Sequence, residues 1–124
     1  MKVAVYGRTF DQGFITYIQD FFYHLNDYGF QIDIYQDFLN YMKEEHRFHP
    51  SVNNTFSGYR DIDETVDFVI SIGGDGTLLD TVSLVRETQI PVIGINTGRL
   101  GFLANIAKEN IPEAIESLYY GQYT

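Results

Sequence analysis

Short apolar runs without polar alternation are the feature that most constrains how this chain folds. Residues Lys2–Tyr6, Phe68–Ile72 and Pro91–Ile95 read KVAVY, FVISI and PVIGI, and glycine directly follows the first two. Runs of this kind are typical of strands that are buried on both faces of a sheet. Because segments with helical periodicity separate them, the sequence predicts an α/β fold, a parallel sheet flanked by helices with right-handed crossovers.

The segments between these runs supply the remaining predicted elements. Ile32–Tyr35 alternates like a further strand, and residues 48–63 are predicted to be mainly loop. Apolar residues from Phe14 to Leu25 recur at helical spacing and are predicted to face the core, with Gly29 suited to the helix end. Further helices are predicted around Phe38–Met42, from Leu78 to Val85 and from Pro112 to Tyr119.

Length and charge limit the possible functions. A chain of 124 residues, 44% of them hydrophobic, builds one domain with one core. Its formal charge of −9 repels nucleic acids and anionic membrane surfaces, so neither is an expected partner. The chain has no cysteine for a disulfide or thiolate zinc site, and no apolar stretch near the roughly 18 residues of a membrane span. We therefore expect a soluble, cytoplasmic domain.

A glycine-rich segment, Ser71–Thr77 (SIGGDGT), lies where a predicted strand ends and a predicted helix begins. The carboxyl ends of parallel strands are where ligands bind in α/β sheets. Gly73, Gly74 and Gly76 lack Cβ atoms, so backbone N–H groups can approach phosphate oxygens closely. The helix N-terminus adds roughly half a positive charge at the same point. The segment therefore explains how a strongly acidic protein can bind a polyanion.

Asp75 is the unexpected residue in this segment, because a carboxylate repels phosphate. It fits if it binds magnesium or accepts a proton from a hydroxyl nucleophile, and phosphoryl transfer requires both tasks. The alternative is a turn in which Asp75 or Thr77 caps the helix. The pattern is neither a Walker P-loop nor the spaced-glycine dinucleotide fingerprint.

Two motifs together resemble one enzyme family. Gly-Gly-Asp-Gly-Thr after an apolar strand resembles the signature shared by NAD kinases, diacylglycerol and sphingosine kinases, and phosphofructokinases. Residues 91–104 (PVIGINTGRLGFLA) resemble the NAD kinase segment G-I-N-x-G-x-L-G-F-L, whereas the lipid kinases carry a Gly-Thr-Gly-Asn-type segment there. The resemblance implies that residues 1–124 form the Rossmann-like N-terminal domain of an NAD kinase, without its β-rich C-terminal domain.

The resemblance also implies roles for individual residues. Asp75 matches the catalytic aspartate that accepts the proton of the NAD 2′-hydroxyl. Leu79 and Phe102 match apolar residues that pack against the adenosine side of NAD. Arg99 has two interpretations, a contact with the substrate or simple exposure at the surface. The implied nucleotide-binding residues are Gly73, Gly74, Asp75, Gly76, Thr77, Leu79, Asn96, Arg99 and Phe102.

Two further positions are placed by the same resemblance. Asn96, together with Gly98 and Gly101, is implied to shape the loop that carries Phe102. Asp80 is acidic where some relatives have a basic residue, which argues against a charge contact from this position to the substrate.

The implied function is phosphoryl transfer from ATP, with Mg²⁺ or another divalent cation, to the 2′-hydroxyl of the adenosine ribose of NAD, giving NADP. No metal ligands are assigned to the chain itself, and a homo-oligomer is implied for the full-length enzyme. Family members carry an Asn-Glu pair that binds the ribose or adenine, and this sequence contains no Asn-Glu pair. We therefore expect the chain alone to be inactive. A lipid kinase and a non-catalytic nucleotide-binding module are the alternatives.

Other residues allow more than one interpretation. Arg8 follows the first strand and is either a phosphate contact or a solvated loop arginine. His46 and His49 lack the spacing of a helical zinc site and are expected to be solvated. Tyr119 and Tyr120 either face another domain or subunit or form a half-buried edge.

Overall fold

Six strands form one sheet in the described part of the computed structural model, which comprises residues 1–58, 61–62, 65–85, 88–97 and 106–121. Every pairing is parallel, and this confirms the predicted α/β fold. The strands are β1 Lys2–Gly7, β2 Gln31–Tyr35, β3 Asn54–Phe56, β4 Phe68–Gly73, β5 Val92–Asn96 and β6 Ile106–Ala107. They lie in the order β3-β2-β1-β4-β5-β6.

Within the described residues, three α-helices connect strands and a fourth follows the last strand. They are α1 Ile15–Asp27, α2 Gln36–Glu45, α3 Asp75–Val85 and α4 Ile111–Tyr119. Short 3₁₀ turns precede α1 and α4, and Pro112 lies in the first turn of α4, where proline is tolerated. No helix in the described ranges has the length and apolar character that crossing a bilayer requires.

The core has two layers, one on each face of the sheet. One layer joins α1, α2 and α4 to alternate residues of the strands, including Val3 and Val5, and it contains the predicted stripe Phe14–Phe22. The other layer joins Ala4 and Val69 to Val85 of α3. Because both faces are covered, the strands carry near-continuous apolar sequences.

The strand order reverses between β1 and β4. From β1 the chain builds outward through β2 to β3, and it then returns beside β1 and builds the other way through β5 to β6. Gly7 pairs with Ile72, so the residues after β1 lie alongside the turn after β4. In open α/β sheets such a reversal leaves a crevice at the carboxyl ends of the strands, where ligands bind.

Two short edge strands were not predicted. β3 lies inside residues 48–63, so the prediction of a loop is wrong there for Asn54–Phe56. Asn53 holds this edge to β2 because its backbone N–H donates to the Ile32 carbonyl at 2.9 Å and its side-chain oxygen accepts from the Ile32 N–H at 2.8 Å. β6 has two residues. Strands this short show no periodicity and depend on pairing for their existence.

Candidate active site at the crevice between β1 and β4

The turn between β4 and α3 requires glycine at its first position. Gly73 has φ 155°, and a Cβ placed there would lie 2.5 Å from the Thr77 Oγ1 atom. Its carbonyl accepts a hydrogen bond of 3.1 Å from the Thr97 N–H, which ties the turn to the end of β5. Gly73 is therefore needed by the fold itself, and Thr77 is the residue that packs against it.

Gly74 and Gly76 are different, because packing does not require glycine at either position. Among the described residues, a Cβ at either position would meet no atom within 4 Å apart from its chain neighbours and, for Gly76, the backbone of its own helix; both residues are exposed. Gly76 also lies inside α3, where glycine costs up to about 1 kcal/mol relative to alanine. A glycine that costs stability and relieves no contact leaves the backbone open to the close approach of a ligand.

Asp75 lies in the first turn of α3 and is partly exposed at the crevice. The Gly74 carbonyl accepts the hydrogen bond of the Leu78 N–H at 3.0 Å, so Gly74, and not Asp75, occupies the cap position. Position therefore argues against a capping role for Asp75. The helix N-terminus places partial positive charge beside this carboxylate and beside any phosphate that approaches the turn.

Buried hydroxyls fix α3 on β4. Thr81 is fully buried, and its Oγ1 lies 2.9 Å from the Oγ of Ser71, which is 1% exposed on β4. The same Thr81 oxygen lies 2.8 Å from the Thr77 carbonyl oxygen. These contacts hold the first turn of the helix, and with it Asp75, against the end of the strand.

Arg8 lies at the crevice, where one of its two interpretations placed it. Its guanidinium forms an ion pair with Asp80 of α3, so the acidic residue at position 80 has a partner within the chain. A hydrogen bond to Tyr6, with coulombic contributions from Tyr6 and Asp80, raises the pKa of Arg8 above its usual value. The side chain stays charged, and with 59% of it exposed it remains accessible to an anion.

Of the other predicted site residues, Leu79 and Asn96 lie in the described part of the chain, and the rest lie outside it. Leu79 is four residues after Asp75 on the helix and 56% exposed, so it offers an apolar surface beside the carboxylate. Asn96 ends β5, pairs with Gly73 in the sheet and is 2% exposed. The predicted loop and contact residues Gly98, Arg99, Gly101 and Phe102 lie outside the described residues.

Sequence reasoning missed a cavity of about 280 Å³ next to the crevice, at the carboxyl ends of β1 and β2. Tyr6, Tyr35 and Asp37 are among the residues that line it. The available signal was that these residues end or follow two predicted strands, where a parallel sheet exposes its ligand-binding edge.

The histidine prediction is wrong in part. His46 is partly buried, stacks on Phe10 with ring centroids 4.4 Å apart, and its Nε2 lies 2.9 Å from the Tyr41 hydroxyl. His49 is exposed. Among the residues that the structure describes, no group of three or more His, Cys, Asp or Glu side chains is arranged to hold a metal ion.

Comparison with known proteins identifies the family. The model of the ATP-NAD kinase N-terminal domain matches residues 19–123. The chain belongs to the NAD kinase family. The NAD kinases of Cytophaga hutchinsonii and Flavobacterium psychrophilum are 37% and 38% identical to it over 123 and 127 residues. These matches cover 99% and 100% of the chain but 42% of each relative, so the chain spans less than half the length of these family members.

A solved structure supports the fold independently. Yeast NADH kinase in complex with NADH superposes with a TM-score of 0.75 at 20% sequence identity. The match covers 98% of this chain and 38% of the yeast chain. The Rossmann-like parallel sheet is thus shared with a protein that differs from this chain at most positions.

Proposed function

We propose that the full-length protein containing this chain is an NAD kinase, which transfers the γ-phosphoryl group of ATP to the 2′-hydroxyl of the adenosine ribose of NAD and yields NADP. The observation that carries the proposal is the turn Gly73–Asp75 at the reversal of strand order. It combines an anion-binding helix N-terminus, two glycines that packing does not require, and a carboxylate outside the cap position.

The proposed chemistry needs one proton acceptor and several groups that stabilise charge. Asp75 takes the proton of the 2′-hydroxyl while that oxygen forms a bond to the γ-phosphorus and the bond from phosphorus to the β,γ-bridging oxygen breaks. Backbone N–H groups at Gly74 and Gly76, the helix N-terminus and Arg8 stabilise the negative charge on the phosphates. Leu79 supplies apolar contact to the adenosine.

A divalent cation fits this site only as part of the nucleotide complex. Asp75 is the one carboxylate in the turn, and magnesium takes about six oxygen ligands, so phosphate oxygens and water must supply the rest. When bound with ATP, such a cation neutralises charge on the β- and γ-phosphates. In this proposal the triphosphate and water would hold the cation, because Asp75 serves as the proton acceptor.

The proposal extends to the whole protein. Because the family members cited above are more than twice as long, we place part of the NAD site in residues beyond these 124, and we expect little turnover from the chain alone. The full-length enzyme is proposed to be a cytoplasmic homo-oligomer, as its resemblance to the family implies. Retention of Asp75 argues against a non-catalytic module.

An assay of acceptor choice tests the proposal. The full-length protein is incubated with ATP and Mg²⁺ and offered NAD or diacylglycerol vesicles, and the 2′-phosphate is identified by ³¹P NMR. We expect NADP as the product and no phosphorylated lipid. Phosphorylation of diacylglycerol without formation of NADP would establish the lipid kinase alternative and reject this function.

A further inference from the structure

The cavity at the carboxyl ends of β1 and β2 is a candidate site for part of a nucleotide. Its volume of about 280 Å³ lies just below the roughly 300–1,000 Å³ of pockets that enclose whole ligands, so it suits a ring system better than a complete nucleotide. We propose that it binds the base of the phosphoryl donor, the adenine of ATP, while the phosphates extend past Arg8 to the glycine-rich turn. This inference rests on the proposed kinase function.

Four of the residues that line the cavity are aromatic. Tyr6 and Tyr35 pack against each other with ring centroids 4.8 Å apart and ring planes tilted by 38°, and Phe38 and Tyr41 of α2 also line it. A Cβ at Gly7 would lie 2.8 Å from the Phe38 ring, so glycine at this position is what lets that ring approach the end of β1. Flat aromatic side chains stack on the planar ring of a nucleotide base, and this contact does not depend on which base is present.

Asp37 is the acidic residue of the cavity lining, and it favours a base over a phosphate at its own position. Asp37 is exposed and accepts a hydrogen bond of 3.2 Å from the Tyr35 hydroxyl. Burial and the neighbouring Asp37 carboxylate raise the pKa of Tyr35, so the hydroxyl remains a donor to Asp37. A carboxylate repels phosphate but accepts a hydrogen bond from an exocyclic amino group, and adenine presents one.

Arg8 connects this cavity with the phosphate-binding turn. It lines the cavity and also pairs with Asp80 on α3, the helix that begins at Asp75. The pairing of Gly7 with Ile72 brings the ends of β1 and β4 together at the same edge. A nucleotide with its base in the cavity therefore directs its phosphates past a guanidinium toward Gly74 and Gly76.

This arrangement separates the two substrates. The donor lies on the β1–β2 side of the reversal in strand order, and the acceptor lies on the side of β5 and Leu79. The two meet at the turn where α3 begins with the partly exposed Asp75. The competing occupant of the cavity is the nicotinamide ring of NAD, and the experiment below distinguishes it from the base of ATP.

The first test removes the carboxylate and the amino group that it is proposed to bind. Full-length wild type and Asp37→Ala are compared with ATP and with purine riboside 5′-triphosphate, which lacks the amino group. A hydrogen bond to a charged group predicts that the wild type prefers ATP by about tenfold in kcat/KM and that the variant discriminates by less than about twofold. Equal discrimination by both proteins overturns the proposal.

The second test separates base from phosphate and donor from acceptor. Tyr35→Leu is expected to raise the KM for ATP by about tenfold. The KM for NAD and the inhibition constant of tripolyphosphate, which has no base, should stay within about twofold of their wild-type values. Tyr23→Leu is the matched control, because Tyr23 lies on α1 with 63% of its surface exposed. Melting temperatures of both variants are measured alongside.

Each other outcome has a definite meaning. If Tyr35→Leu raises only the KM for NAD, the cavity binds part of the acceptor. If neither KM changes, or if both rise equally, the proposal that the cavity binds the base of ATP is also rejected. If the wild type forms no NADP, the proposed function fails. Calorimetric titration of Asp37→Ala and wild type with the two triphosphates then still decides what the cavity binds.

Discussion

At the scale of single residues, the glycines of the turn serve different physical purposes. Gly73 is required by its backbone angle and by its contact with Thr77. Gly76 has open space around its missing Cβ and lies inside a helix. In the free protein it therefore lowers the stability of the helix without improving packing. One motif therefore contains a residue that the fold requires and a residue for which we propose a binding role.

Alanine substitutions at these two glycines should act in opposite directions. Gly73→Ala is expected to lower the free energy of unfolding of the 124-residue chain by about 1–3 kcal/mol, because a strained φ is added to a steric clash. Gly76→Ala is expected to raise it by up to about 1 kcal/mol while lowering kcat/KM for NAD phosphorylation in the full-length enzyme. Urea unfolding and steady-state kinetics measure the two effects. A Gly76→Ala enzyme with wild-type kcat/KM would refute the binding role.

At the scale of elements, α3 is the helix that carries Asp75, and buried hydroxyls hold it to the sheet. Ser71 and Thr81 join β4 to α3 where both residues are almost fully buried. Such a pair contributes modestly when it is made and costs more when one partner is left alone. The two residues should therefore behave as a unit.

A double-mutant cycle tests this coupling. Thr81→Val and Ser71→Ala are each expected to lower the free energy of unfolding by about 1–3 kcal/mol, since each leaves the other hydroxyl without that partner. The double variant should lose less than the sum of the two, by at least about 0.5 kcal/mol. Additive losses in urea unfolding would show that the contact does not couple the helix to the strand.

The sequence predicted long elements well and short ones poorly. β1, β4 and β5 were readable because each is an uninterrupted apolar run. β3 and β6 were not, because two or three residues carry no periodicity and their pairing partners lie far away in sequence. The helix predicted from Leu78 begins instead at Asp75, because glycine and aspartate in its first turn hide the apolar pattern.

At the scale of the whole molecule, the reversal of strand order creates the site. Asp75 and the turn glycines were recognisable as a local motif, but the ion pair of Arg8 with Asp80 was not. That contact exists only because β4 returns beside β1 after two strands have been built on the other side. The cavity beside it is lined by residues at the ends of β1 and β2 and by α2, so predicting it required knowing that these two strands are neighbours in the sheet.

The net charge of −9 makes the local arrangement of the site more important. A chain with this charge repels polyanions such as ATP and NAD at long range, so the proposed binding depends on groups that act on the phosphates at short range. Backbone N–H groups, the N-terminus of α3 and Arg8 are the groups proposed for this role. Against this background an acidic residue in the turn needs a chemical purpose, and proton acceptance from the 2′-hydroxyl is the purpose assigned to Asp75.

The most direct measurement of that assignment is the turnover of Asp75→Asn in the full-length enzyme with saturating ATP, Mg²⁺ and NAD. Asparagine keeps the size of the side chain and loses the proton acceptor, so kcat is expected to fall by about 10²–10⁴-fold with an unchanged melting temperature. Asp20→Asn, an exposed carboxylate on α1, is the matched control and should retain wild-type kcat. An Asp75→Asn enzyme whose kcat stays within a few-fold of wild type would contradict the account.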